Sequence, residues 1–253
     1  MRITRIAAVA VAALMATGCG TGQGVASATL PLPSVATPTP TTASPAPSTS
    51  PSPRLAPAMP VGDLEPGVTY ALDLGGGQGL LLTVPAPGWF SIDTWFLGKN
   101  DIGAAAPFSM TLLPYRVGNV YADPCNWMRG PVKPPVGPTV DDLAAALVEQ
   151  AGPAGIAPTD VIVGGYAGKK VELSIPSDID TETCDEGDFG RWSPTADPEH
   201  YGPFTYGNGQ HDTVYIIDVD GIRWVIDTNY LPGTPAASLA ELEQLITSIR
   251  FEN

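Results

Sequence analysis

From residue 61 onward, apolar and polar positions alternate along much of the chain, and in two places the spacing changes to that of a helix. Val68-Thr69-Tyr70-Ala71-Leu72-Asp73-Leu74 has a period of two and predicts a strand. Gly75-Gly76-Gly77-Gln78-Gly79 follows, and the apolar run 80–84 reads as the returning strand. The glycines are not a phosphate loop: no Lys-Ser/Thr follows them, and they open a strand instead of a helix. Pro87-Gly88-Trp89-Phe90 leads into the run 92–96, and 108–113 predicts a further strand. Residues 160–165 and 169–175 predict a hairpin around Tyr166-Ala167-Gly168. Residues 213–219 and 222–227 flank Asp220-Gly221, a pair suited to a type I′ turn, whose two central residues both need positive φ. This last hairpin is expected at the centre of the sheet.

The first helical stretch carries Val140, Leu143, Ala144, Leu147 and Val148 on one face and ends near Gly152-Pro153. Thr139 is a natural N-cap, and Asp141 and Asp142 sit at the positive end of the helix dipole. As neighbours on a helix the two aspartates do not face each other, so they are not a catalytic pair. The second stretch has a broad stripe of Leu239, Leu242, Leu245, Ile246 and Ile249. Thr234 is expected to cap it, with Pro235 at the first helical position, and the stripe is expected to lie on the sheet. Arg250-Phe251-Glu252 reads as a closing edge strand. Together these elements predict an α+β fold, an antiparallel β-sheet with two main α-helices packed on it.

Composition divides the chain into three parts. Two arginines in Met1-Arg2-Ile3-Thr4-Arg5 precede about ten apolar residues, whereas a bilayer-spanning helix needs about twenty. Residues 1–18 therefore read as a signal peptide. Ala16-Thr17-Gly18-Cys19 resembles a lipobox, which implies a lipid on Cys19 and anchoring at the outer face of the cell membrane. Residues 19–60 are the lipidated cysteine and a Pro/Thr/Ser-rich linker; proline locks φ and removes amide donors, so this tether is expected to be disordered and extended. Residues 61–253 are expected to form a single domain.

The full chain has 12 basic and 26 acidic residues, a formal charge of −14. Once Arg2 and Arg5 leave with the signal, 10 basic residues face 26 acidic ones, a formal charge of −16. That balance argues against nucleic acid or an anionic lipid surface as partner; it permits cationic ligands and calcium, and solubility alone is the favoured account of it. Three cysteines are an odd count for an exported protein. If Cys19 is acylated, Cys125 and Cys184 remain and are expected to pair, since export favours disulfides. Two buried thiols are the alternative. No cysteine has the nearby His or the C-x-x-C spacing of a zinc or redox site.

Chemistry-bearing motifs are few. Asp178, Asp180, Glu182, Asp185, Glu186 and Asp188 form an acidic loop. Asp178, Asp180 and Glu182 match the first ligand positions of an EF-hand, but Thr183 and Phe189 stand where Gly and Glu are required. A solvated loop is the expectation there, with calcium binding as its alternative. The only histidines are His200 and His211, both in loop-like sequence, and there is no G-x-S-x-G, H-E-x-x-H or catalytic-cysteine context. No catalytic residue, cofactor or metal is expected, and a carboxylate-dependent hydrolase is the less favoured reading. A Cys125–Cys184 bond would bring Trp127 and Trp192 together, with Arg191 and Asp123 nearby. These four residues are the candidate ligand patch; covering the disulfide and filling the core is the other use for the two indoles.

Pro87-Gly88-Trp89 and the ending Leu245-Ile246-Thr247-Ser248-Ile249-Arg250-Phe251 resemble exported PsbP-like domains, including the LpqN-type lipoproteins of actinobacteria. Asp123-Pro124-Cys125-Asn126-Trp127, Cys184-Asp185 and Asp218-Val219-Asp220-Gly221 are similar to segments of other actinobacterial lipoproteins. The resemblance implies a fold and an envelope location, and it carries over no catalytic residue. The expectation is a membrane-anchored exported lipoprotein whose domain binds a ligand or protein partner in the envelope. A structural or assembly factor of the envelope is the alternative.

Overall fold

The structure, a computed structural model, describes residues 55–103, 107–152, 155–193 and 207–252. The segment expected to be a signal peptide, Cys19, the expected tether up to residue 54 and His200 lie outside the described residues.

In chain order the first strands are β1 (Gly62–Asp63), β2 (Thr69–Gly75), β3 (Gln78–Thr83), β4 (Phe90–Ser91), β5 (Leu97–Lys99), β6 (Met110–Tyr115) and β7 (Asn119–Val120). Helix α1 (Val140–Ala151) comes next, followed by β8 (Thr159–Val163), β9 (Tyr166–Ser174) and β10 (Trp192–Ser193). Strands β11 (His211–Val219) and β12 (Ile222–Tyr230), helix α2 (Ala236–Ser248) and β13 (Arg250–Glu252) complete the domain. The main sheet has eight strands in the order β1-β4-β5-β6-β12-β11-β9-β8, and each pair is antiparallel. A three-stranded sheet has the order β13-β3-β2, and β7 pairs with β10. The fold is α+β and mostly antiparallel sheet, as the alternation predicts.

The middle of the eight-stranded sheet is covered on both faces, which explains the apolar runs 214–217 of β11 and 224–226 of β12. Side chains alternate between the faces of a strand. Ile217 and Val219 of β11 and Trp224 and Ile226 of β12 join one core with Leu72, Leu80 and Leu82 of the small sheet and with Leu242 and Leu245 of α2. Val214, Ile216 and Val225 join the other core with Leu143, Ala144 and Leu147 of α1 and with Trp192. The β11–β12 hairpin lies in the middle of the sheet and is the wall shared by both cores. Its turn is as predicted, with φ of 53° at Asp220 and 84° at Gly221. Helix α1 carries the predicted cap in full: Thr139 Oγ1 accepts from the Asp142 amide at 3.1 Å, and Asp142 Oδ2 accepts from the Thr139 amide at 3.0 Å.

Three expectations change. The fold begins before residue 61: Met59 is buried, its amide donates to the Ala71 carbonyl at 2.9 Å, and the Ala71 amide donates to the Pro57 carbonyl at 2.8 Å. Prolines here end a bridged segment instead of keeping it free. The β8–β9 turn is Gly164-Gly165, with φ of 59° and 93°, and Tyr166-Ala167-Gly168 is the start of β9. Two adjacent glycines supply the paired positive φ that Tyr166 would resist. Thr234 does not cap α2; the N-cap is Pro235, and the Thr234 hydroxyl donates to the carbonyls of Leu231 and Ser109 at 2.8 and 3.1 Å. Between β4 and β5 the chain bends through the run 92–96, and the Phe96 amide donates to the Asp93 carbonyl.

A charged knot fixes α2 to the sheet. Lys99 Nζ donates to both carboxylate oxygens of Glu241, at 2.9 and 2.8 Å, and lies 3.2 Å from Asp101. The Trp89 indole donates to Glu241 Oε2 at 2.8 Å. Burial works against the lysine charge, yet the bonds to Glu241 and Asp101 outweigh it and raise the ammonium above its ordinary pKa. Neither α1 nor α2 is long and apolar enough to cross a membrane.

Candidate functional site

Cys125 and Cys184 form a disulfide across a sequence separation of 59 residues. It sits in a small apolar cluster with Ile175, Phe189 and Ile179. Both flanking segments are drawn together by backbone bonds, from the Asp185 amide to the Cys125 carbonyl at 2.8 Å and from the Gly190 amide to the Pro124 carbonyl at 2.9 Å. Asp123 is used inside its own turn: Oδ1 accepts from the amides of Cys125 and Asn126, and Oδ2 accepts from the Asn126 side chain. Burial opposes its charge, but these hydrogen bonds prevail and lower its pKa. Trp127 is buried and its indole donates to the Asp185 carbonyl at 3.1 Å. Trp192 is buried on β10, with its ring stacked on Tyr115 at 6.2 Å. The four residues expected as a ligand patch therefore do not present an aromatic surface. The indoles are packed because a two-ring apolar body loses contact with water most fully beside the disulfide and the sheet. The acidic loop is used locally as well: Asp180 Oδ1 accepts from the Glu182 amide, and Asp185 Oδ2 from the Met128 amide. Among the described residues no group of three His, Cys, Asp or Glu side chains is placed to hold a metal ion.

Arg191 leads into a polar centre that strand parity could have located. Asp212 lies on the same face of β11 as Val214 and Ile216, and Asp227 lies on the same face of β12 as Val225. Both carboxyl groups thus point into the α1-side core, at 5% and 1% exposure. Arg191 Nε is 3.7 Å from Asp212 Oδ2, and its Nη2 donates to the Ser174 carbonyl at 2.7 Å. Gln210 donates to Asp212 Oδ1 at 2.6 Å, and the Tyr115 hydroxyl donates to Asp227 Oδ2 at 3.1 Å. Burial pushes the Asp227 carboxyl well above the carboxylate range, and the charge of Asp212 adds to the rise. Burial also raises Asp212, although Arg191 counters it. The next cross-strand row is Thr111, Asn229 and Asp212. Thr111 Oγ1, Asn229 Nδ2 and Asp227 Oδ1 are buried and make no hydrogen bond among the described residues.

On the opposite face of the same strands an open cleft of about 260 Å³ separates the sheet from α2. Its floor is His211, Thr213 and Tyr215 of β11, Thr228 and Tyr230 of β12, and Lys170 and Glu172 of β9; Leu239, Leu242 and Glu243 of α2 form the wall. Register explains the floor, since Glu172 is opposite Thr213, Lys170 is opposite Tyr215, and Tyr230 is opposite His211. The rings of His211 and Tyr230 stack at 5.0 Å. Lys170 Nζ is 2.7 Å from Glu172 Oε1. Burial raises the pKa of the Tyr215 phenol, and the carboxylates of Glu243 and Glu172 raise it further, so the hydroxyl stays protonated. The cleft thus offers the carboxylates of Glu172 and Glu243, the Lys170 ammonium paired with Glu172, two phenols, an imidazole and an apolar helix face, with Leu173 and Asp212 also in its lining. Sequence reasoning placed His211 in a loop and passed over the cleft. Its residues come from three strands and a helix, and no local motif marks them.

No family model matches the chain, and no curated protein matches it. A solved structure from Bacteroides thetaiotaomicron is similar at 10% identity with a TM-score of 0.25. The match covers 77% of this chain, which spans about half (50%) of the length of that protein.

Proposed function

We propose that this is an exported lipoprotein, held at the outer face of the cell membrane through Cys19, whose α+β domain binds a small ligand of the envelope in the cleft between α2 and the sheet. The observation that carries the reading is the cleft itself: converging His211, Tyr215, Tyr230, Glu172 and Glu243 side chains around about 260 Å³. Binding sites are concave, with a partly apolar lining and a few polar groups that fix orientation. The paired Cys125 and Cys184 support an oxidising compartment and leave Cys19 as the third cysteine, available for acylation. The lipobox-like Ala16-Thr17-Gly18-Cys19 and the PsbP-like segments point the same way.

Two measurements test the reading. Cys19→Ala should move the protein from the membrane to the soluble fraction, and retention at the membrane would refute the anchor. For the cleft, the full chain is screened by ligand-observed NMR against a library of small polar compounds, with Thr213→Trp as the blocked variant. Thr213 is half-buried on the cleft floor, so an indole there fills the space. Binders that vanish with Thr213→Trp support the reading; a set of binders indifferent to it removes the cleft as the site.

A further inference from the structure

We propose that the cleft takes a small organic cation, a primary ammonium or amidinium group carried on a compact apolar body. This rests on the cleft being the ligand site and adds the chemical class of the ligand.

Charge comes first. Glu172 and Glu243 both line the cleft, and Lys170 is the only lysine or arginine in its lining. Lys170 is committed to Glu172 at 2.7 Å. Among the described residues no basic side chain pairs with Glu243. An anionic ligand would meet the carboxylates of Glu172 and Glu243, and a cationic one would supply the charge that Glu243 lacks. The surrounding field acts in the same direction, because residues 61–253 hold all 26 acidic residues and nine of the 12 basic ones, which draws cations toward the domain and repels anions.

The lining comes second. Tyr215 and Tyr230 stand on the floor, and a cation close to the face of a tyrosine ring is attracted by its quadrupole. Leu239 and Leu242 give the apolar body of the ligand a surface to cover. Size comes third. A volume of about 260 Å³ lies just below the range of roughly 300–1,000 Å³ for drug-sized ligands, which limits the occupant to about the size of one ring with its substituent.

The experiment uses four probes that share one ring and differ in charge: benzylamine and benzamidine as cations, benzyl alcohol as the neutral isostere, and benzoate as the anion. Each is titrated into the full chain at neutral pH and low salt, with chemical shifts of cleft residues as the readout. The two cations should shift Tyr215, Tyr230 and Leu239 signals and bind about five- to tenfold more tightly than benzyl alcohol, with benzoate weakest. Glu243→Gln should remove most of that preference, and so should raised salt. Glu243 is exposed on α2, so the variant keeps its fold, which a thermal melt checks. Equal binding of benzylamine and benzyl alcohol, or a preference that survives Glu243→Gln, overturns the cation inference and leaves the cleft standing. Probe binding that Thr213→Trp does not alter overturns the cleft reading itself.

Discussion

Removing the Cys125–Cys184 bond should destabilise the domain by about 4 kcal/mol, with the loss arising in the unfolded chain. A separation of 59 residues sets the loop. Loop-closure entropy for a loop of that length comes to roughly 14 cal/mol/K, or about 4 kcal/mol at 25 °C. The native state should change little. Asp185 N to Cys125 O, Gly190 N to Pro124 O, Trp127 Nε1 to Asp185 O and Met128 N to Asp185 Oδ2 all bridge the two segments without the sulfur link. The cost is large against the 5–15 kcal/mol typical of a domain. At about 2–4 °C per kcal/mol for a chain of this size, the melting temperature should fall by roughly 8–16 °C. The assay is urea unfolding of the oxidised protein, the reduced protein and the Cys125→Ala/Cys184→Ala variant. Both states that lack the bond should lose stability, and the unfolding slope should steepen because an unfolded chain freed of the crosslink exposes more surface. A loss below about 1 kcal/mol in both states would refute the reasoning.

Two further predictions concern single residues. Thr139→Ala should cost about 1 kcal/mol in denaturant unfolding while Thr139→Ser is nearly neutral, because the lost hydroxyl is the N-cap acceptor of α1; equal effects of the two changes would remove the cap from the account. Asp227→Asn should gain stability relative to the wild type as pH rises. The native carboxyl titrates above its unfolded value of about 3.9, so the wild type binds more protons when folded and loses stability from about pH 4 up to the native pKa. Each unit of that difference is worth about 1.4 kcal/mol, and asparagine keeps an oxygen for the Tyr115 hydroxyl without titrating. Melting of both proteins between pH 4 and 8 checks this, and a difference constant across the range would refute it.

Much of the fold was legible because local chemistry and packing agree. Asp220-Gly221 and the Thr139 box act within four residues, and period two in β11 reports a strand wherever it packs. The failures have physical causes. Thr234 has the right side chain for a cap, but its hydroxyl is claimed by the carbonyls of Leu231 and of Ser109, the residue before β6. The turn at Gly164-Gly165 was displaced by two residues because three glycines in five positions left the register open, and the pairing of β9 with β11 decided it. The polar centre was written in the sequence as acids at inward strand positions, Asp212 and Asp227. The cleft was not, because it exists only where α2 crosses strands that the hairpin brought together.

The chain enters and leaves the domain through the same small sheet. Pro57 and Met59 bond to Ala71 of β2, and β13 bonds to β3 on the other side. A pull arriving from residues before Leu55 therefore loads a parallel bridge held by two hydrogen bonds, ahead of any strand of the eight-stranded sheet. That bridge can act as a mechanical fuse. A pull at Leu55 should free the residues around Met59 first and leave the disulfide-bound layer and the β11–β12 hairpin intact.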